Sequence, residues 1–167
     1  MPMPSDHALD KDWRDFLSAL EACRVEYMLV GGLALAVHGH VRYTKDMDIW
    51  FRGSEPNAAR LIEALRMFGF PDIEVQASAF CKPRSMLVLG KEPNAIELIN
   101  FADGVDFDAC YPHRLVVPLD GVNVAVIGLD DLRTNKRAVG RLQDLADLEH
   151  LEGAADARPG DCNAEHQ

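Results

Sequence analysis

Two aspartates, Asp46 and Asp48, stand one residue apart in the run Asp-Met-Asp-Ile-Trp-Phe. In a strand, residues i and i+2 point to the same face. The two carboxylates would therefore aim together, with Met47 and Ile49 packed on the other side. Carboxylates held that close raise each other's pKa unless a cation sits between them. Hard oxygen donors of this kind suit Mg²⁺ or Mn²⁺, and such ions clamp phosphates during phosphoryl or nucleotidyl transfer. Just upstream, Gly31-Gly32 breaks a short apolar run and opens a helix. Residues without side chains let a ligand approach the backbone closely, and a helix start offers free N–H groups to an anion. A Gly-Gly is often plain turn chemistry, and a lone Asp-x-Asp is often a solvated edge. Both together, in this order and within twenty residues, point to a phosphate cradle beside a metal pair.

Other charged residues near this stretch are weaker candidates. Arg42 sits just before the aspartate strand and could grip a phosphate bidentately, or form a surface ion pair. Lys136 and Arg141 could reach a triphosphate, or could line a solvated helix face. Tyr43 could stack on a base or cover the sheet edge. His38-Gly39-His40 lacks nearby cysteines and suits packing better than metal binding. The chain has no P-loop, no Gly-x-Gly-x-x-Gly fingerprint, no Gly-x-Ser-x-Gly elbow and no zinc-finger spacing.

The elements that must position these residues follow from periodicity. Trp13, Phe16, Leu17 and Leu20 fall at i, i+3, i+4, i+7, which predicts a helix over 8–23. A short strand over 25–30 leads into Gly31-Gly32, a helix over 33–38 follows, and the aspartates lie on a strand over 46–51. Ser54 caps a helix whose apolar face is Ala58, Leu61, Ile62, Leu65 and Phe68 and which Gly69 stops. Residues 85–89 and 95–101 read as a hairpin, and Asp120-Gly121 between apolar runs is a strong hairpin signal. One long helix is expected over 129–151, with Leu132, Ala138, Val139, Leu142, Leu145 and Ala146 on its apolar arc. The order predicts an α/β (α+β) domain, a mixed β-sheet flanked by helices. It occupies residues 1–152, with 153–167 a disordered tail.

Composition narrows the function classes. Of 167 residues, seventeen are Lys or Arg and twenty-seven Asp or Glu, a formal charge of −10. That balance disfavours a broad surface tracking nucleic-acid phosphates, but it is compatible with a nucleotide bound together with its metal ion. No apolar run approaches the roughly 20 residues of a membrane span, and the first residues are too polar for a signal peptide. Cys23, Cys81, Cys110 and Cys162 are scattered, as expected of free thiols in a reducing cytoplasm.

The stretch Gly31-Gly32-Leu33-Ala34-Leu35-Ala36-Val37-His38-Gly39, followed by Arg42, Thr44, Asp46 and Asp48, resembles the nucleotidyltransferase superfamily of DNA polymerase β type. It is most similar to the bacterial branch with the AbiEii-like toxins and related nucleotidyltransferases. The resemblance implies a nucleotidyltransferase-like fold and two metal ions bridging carboxylates and a nucleoside triphosphate. It also implies transfer of a nucleoside monophosphate to an acceptor hydroxyl: RNA, a protein or a small molecule. A third acidic residue from a later strand is implied as well. Glu97 in Asn-Ala-Ile-Glu-Leu-Ile-Asn-Phe takes that place where the family usually has Asp, with Asp103, Asp106 and Asp108 as fallbacks. Gly31 and Gly32 would hold the phosphates. A toxin–antitoxin setting with a cognate partner is a further implication, and a catalytically degenerate nucleotide- or partner-binding protein is the alternative. A side chain at Gly32 is expected to block the phosphate cradle while leaving the helix intact.

Overall fold

The structure, a computed structural model, describes residues 9–156. Its centre is a mixed sheet of six strands: β1 (Tyr27–Val30), β2 (Asp46–Phe51), β3 (Met86–Leu89), β4 (Ala95–Ile99), β5 (Leu115–Leu119) and β6 (Val122–Val126), in the order β3-β4-β2-β1-β6-β5. The helices are α1 (Lys11–Ala22), α2 (Gly31–Val37), α3 (Glu55–Phe68), α4 (Phe107–Cys110), α5 (Leu129–Val139) and α6 (Leu142–Asp156). This is the expected α+β architecture.

Local chemistry explains most of the boundaries. The Asp10 carboxylate accepts from the N–H groups of Asp12 and Trp13 and so starts α1, which buries Trp13, Phe16, Leu17 and Leu20. Ser54 caps α3, and Gly69 ends it at a positive φ of 141°. The two helices pack together, with the rings of Phe16 and Phe68 edge to face at 5.2 Å. Asp120 and Gly121 both have positive φ, the requirement of the tight β5–β6 turn.

The centre of the sheet is parallel where it matters for the carboxylates. β2 runs parallel to β4 on one side and antiparallel to β1 on the other, and β1 runs parallel to β6. All four residues of β1 are buried. Asn57, buried on α3, ties down the strand ends. Its Oδ1 accepts from the Glu26 N–H at 2.7 Å, and its Nδ2 donates to the carbonyls of Glu26 and Arg52.

Two expectations need correction at the C-terminal end. The single helix over 129–151 is two helices, because Gly140 takes a left-handed turn at φ 68° and closes α5 by donating to the Lys136 carbonyl. Beyond that turn the arc expected from a continuous helix no longer holds. Leu142 and Leu145 are exposed, while α6 turns Asp144, Asp147, Leu148 and Leu151 inward. In addition, α6 continues to Asp156, so the residues just after 152 are helical. The rest of the expected tail lies outside the described residues. No helix among the described residues is long and apolar enough to cross a membrane.

Candidate active site

The register of β2 builds the carboxylate group. Asp48 lies opposite Val30 of β1 and opposite Glu97 of β4, and Asp46 lies opposite Ala95. In-register neighbours share a face, and so do residues two apart along a strand. Asp46, Asp48 and Glu97 therefore project from one face, and Met47 and Ile49 are fully buried on the other. Asp48 and Glu97 stand side by side in register on adjacent strands, and the neighbouring carboxyl favours a proton on Asp48. Burial, followed by the adjacent Glu97 carboxyl and its charge, pushes Asp48 up to about 8, against the pull of Lys136. Burial and the charge of Glu97 also raise Asp46. Asp46 Oδ1 is buried without a hydrogen-bond partner.

This donor set fits a divalent cation. Three carboxyl groups crowd one face, one of their oxygens has no partner, and burial beside Glu97 favours a proton on Asp48; a hard cation would relieve all three costs. Among the described residues, no three Asp, Glu, His or Cys side chains are already gathered into a cation cage. Asp48 and Glu97 form a pair, with Asp46 beside it.

The two glycines play different parts. Gly31 starts α2 at φ 68°, where L side chains are strained, and a Cβ built on it would lie 2.1 Å from Asp48 Oδ2. It thus allows the backbone to turn directly under the carboxylate. Val30 supplies no side-chain cap to the first-turn N–H groups of α2. With only seven residues, α2 offers those local N–H groups more than a large macrodipole. Gly32 overturns an expectation. It is buried, and a Cβ there would lie 2.7 Å from both Cβ and Oγ1 of Thr44. A side chain at Gly32 would clash with Thr44 of the 38–45 loop, so it would cost stability as well as blocking the helix start.

The three cationic candidates gather around α6. Arg42 donates through Nε and Nη2 to the two Asp147 oxygens at 3.0 and 3.1 Å. Lys136 is buried and donates to Asp144 at 2.9 Å and to Asp147 at 3.1 Å. Arg141 donates through Nε to Asp144 at 2.7 Å, and its side chain is otherwise 75% exposed. Neither Lys136 nor Arg42 is thus a free cation on a solvated face. Burial pushes Asp144 and Asp147 up, but hydrogen bonds from the surrounding cations outweigh it and hold both below the ordinary carboxylate range.

Asp147 is the residue that sequence reasoning missed, and Asp144 entered only through the Arg141-x-x-Asp144 spacing noted in the resemblance, without a role. Together with Leu148 and Leu151 they recur at i, i+3, i+4, i+7, a signal that was available once Gly140 is taken as a helix end. The weaker candidates have other partners. His38 Nε2 meets the Ile127 carbonyl at 2.7 Å, and His40 stacks on His150. Asp103 pairs with Arg84, Asp106 caps α4, and Asp108 pairs with Arg52. Tyr43 is 72% exposed and available as a stacking surface.

No family model matches the sequence, and no curated protein matches it. Among solved structures, the chain is similar to a candidate nucleotidyltransferase from Thermotoga maritima. The match has a TM-score of 0.53 and 18% identity and covers 92% of this chain and 99% of that one. The domain therefore has a nucleotidyltransferase-like α+β fold. That likeness concerns the fold, and it does not extend to the AbiEii-like branch.

Proposed function

We propose that this protein is a metal-dependent nucleotidyltransferase, moving a nucleoside monophosphate from a nucleoside triphosphate to an acceptor hydroxyl. The observation that carries the proposal is the Asp48–Glu97 carboxyl pair on adjacent parallel strands, with the helix-opening Gly31 packed against Asp48. Asp46, Asp48 and Glu97 would hold Mg²⁺ or Mn²⁺. When bound, such an ion neutralises triphosphate charge and lowers the pKa of the attacking hydroxyl. The backbone N–H groups at Gly31 and Gly32 would bind phosphate oxygens at the start of α2. Arg141 has donors left over from its bond to Asp144 and would bind the triphosphate; Lys136 and Arg42 act mainly by holding the surrounding structure. In the transfer, the acceptor oxygen forms a bond to the α-phosphorus and the bond to the bridging oxygen breaks. Pyrophosphate leaves, and an ionised carboxylate of the group takes the hydroxyl proton.

The test is incubation with each labelled nucleoside triphosphate, Mn²⁺ or Mg²⁺, and fractionated cell extract. Wild type should label an acceptor and Asp48→Asn should not; equal labelling by both would sink the proposal. A catalytically degenerate binder is the second reading, favoured by the absence of a ready-gathered cation cage among the described residues. It predicts nucleotide binding with no transfer in any fraction. A toxin–antitoxin setting and a cognate partner would decide the acceptor, not the chemistry, and both belong to this proposal.

A further inference from the structure

Eleven arginines lie among the described residues, and eight of them pair with a carboxylate. Arg24, Arg60 and Arg114 do not, although the chain carries a net charge of −10 and acidic groups are plentiful. All three line one cavity of about 370 Å³. That is large enough for a small organic molecule. The cavity lies at the Tyr27 end of β1, whereas Asp48 faces Val30 at the other end, about 10 Å along the strand.

The surroundings sharpen the point. Two carboxylates also line the cavity, and each has its own partner: Glu21 accepts from Asn123, another lining residue, and Glu26 pairs with Arg52. Arg24 sits at φ 56°, in the left-handed turn after α1 where glycine is the usual residue. An arginine there accepts backbone strain, and it lines the cavity. Arg60 Nη1 reaches the Arg24 carbonyl at 3.5 Å, which brings two like charges to the same rim. Arg114 lies over the Tyr111 ring at 3.8 Å and donates to the Tyr111 carbonyl at 2.8 Å, so its guanidinium is held in place before any ligand arrives. Leu20, Val25 and Val116 add apolar wall.

We propose that this cavity binds a small organic anion through Arg24, Arg60 and Arg114, separately from the carboxylate group on β2 and β4. Guanidinium forks match phosphate and carboxylate alike, so the ligand is a phosphate- or carboxylate-bearing small molecule with an apolar or planar part. This inference does not rest on the transferase reading.

The experiment is calorimetric titration of the full chain with inorganic pyrophosphate and, separately, with citrate, in EDTA and at matched ionic strength. Saturable binding of at least one anion is expected. It should weaken about tenfold or more in Arg60→Gln and in Arg24→Gly and persist in Asp48→Asn. Stronger binding of pyrophosphate assigns a phosphate ligand, and stronger binding of citrate a carboxylate ligand. Arg24→Gly relieves the left-handed strain, so it should melt no lower than wild type, which separates lost binding from lost folding. No saturable binding of either anion, equal binding in wild type and both arginine variants, or binding lost in Asp48→Asn would each overturn the proposal.

Discussion

Arg42 and Asp147 are 105 positions apart and meet through two hydrogen bonds, guanidinium fork to carboxylate. Lys136 donates to the same carboxylate from α5, and Gln143 and His40 approach it as well. Asp147 is therefore the buried joint between α5, α6 and the loop that leads into the aspartate strand. Removing one partner from a buried charge cluster leaves the others desolvated and unpaired.

We predict that Asp147→Ala costs about 3–5 kcal/mol of stability, measured by urea unfolding. Asp130→Ala is the control. Asp130 pairs with Arg133 at 3.0 Å but is 96% exposed, so its loss should leave the unfolding midpoint nearly unchanged. Similar losses in the two variants would mean that the cluster around Asp147 is not an energetic joint.

A second prediction concerns acid. Asp144 and Asp147 titrate below their unfolded values, so their contribution is full above about pH 4, the ordinary carboxylate pKa. It should drain away as pH falls through the lower folded values. Denaturant midpoints taken from pH 6 to pH 2 should fall mainly below pH 4. A loss completed above pH 5 would contradict the assignment.

Asp48 predicts the opposite slope. Its folded carboxyl is pushed up to about 8, so the folded state holds a proton that the unfolded state releases near pH 4. Its contribution is full below pH 4 and is lost as pH rises through 8. In EDTA, wild type should lose stability between pH 4 and pH 8, and Asp48→Asn should lose much less over that window. Added Mn²⁺ should restore wild type at pH 8 and not the variant. Parallel melting curves for the two proteins in EDTA would count against a proton held on Asp48.

The glycines give a fourth prediction. Gly32→Ala overpacks against Thr44 and should cost about 1–3 kcal/mol, much of it recovered in Gly32→Ala/Thr44→Gly, which removes the clashing atoms. Gly31→Ala should not be rescued by the Thr44 change, because its obstacle is Asp48 together with a positive φ. Thermal melting of the four variants decides the matter: equal rescue of both glycine variants would show that they share one environment.

How much of this was legible beforehand depends on how local the cause is. The α1 and α3 faces, the Asp120-Gly121 turn and the alternation around Asp46 and Asp48 each follow from residues a few positions apart, and periodicity is enough to read them. Glu97 was reached through the resemblance, and strand alternation then fixed its face. Most of the failures are long-range. Gly32 is constrained by Thr44 from the far side of α2, which no helix propensity reveals. Asp144 and Asp147 look like solvated helix residues until Arg42 and Lys136 are brought to them. Gly140 was a visible stop signal, but a continuous arc of leucines outweighed it. The cavity arginines were unreadable for a related reason: Arg24 occupies a turn position where composition alone would place glycine.

The position of α6 after every other described element has a consequence for synthesis. A nascent chain that has emerged only as far as Val139 has β1, β2 and β4 in hand, yet Lys136 has no counterion to be buried with and Arg42 has nothing to hold its loop. At about 5–20 residues per second, the ribosome delivers Asp144 and Asp147 shortly afterwards. Only then can the carboxylate end of the sheet become rigid. The sheet end that carries the proposed chemistry therefore waits for α6, and a chain cut within α6 before Asp147 would lack the joint that holds it.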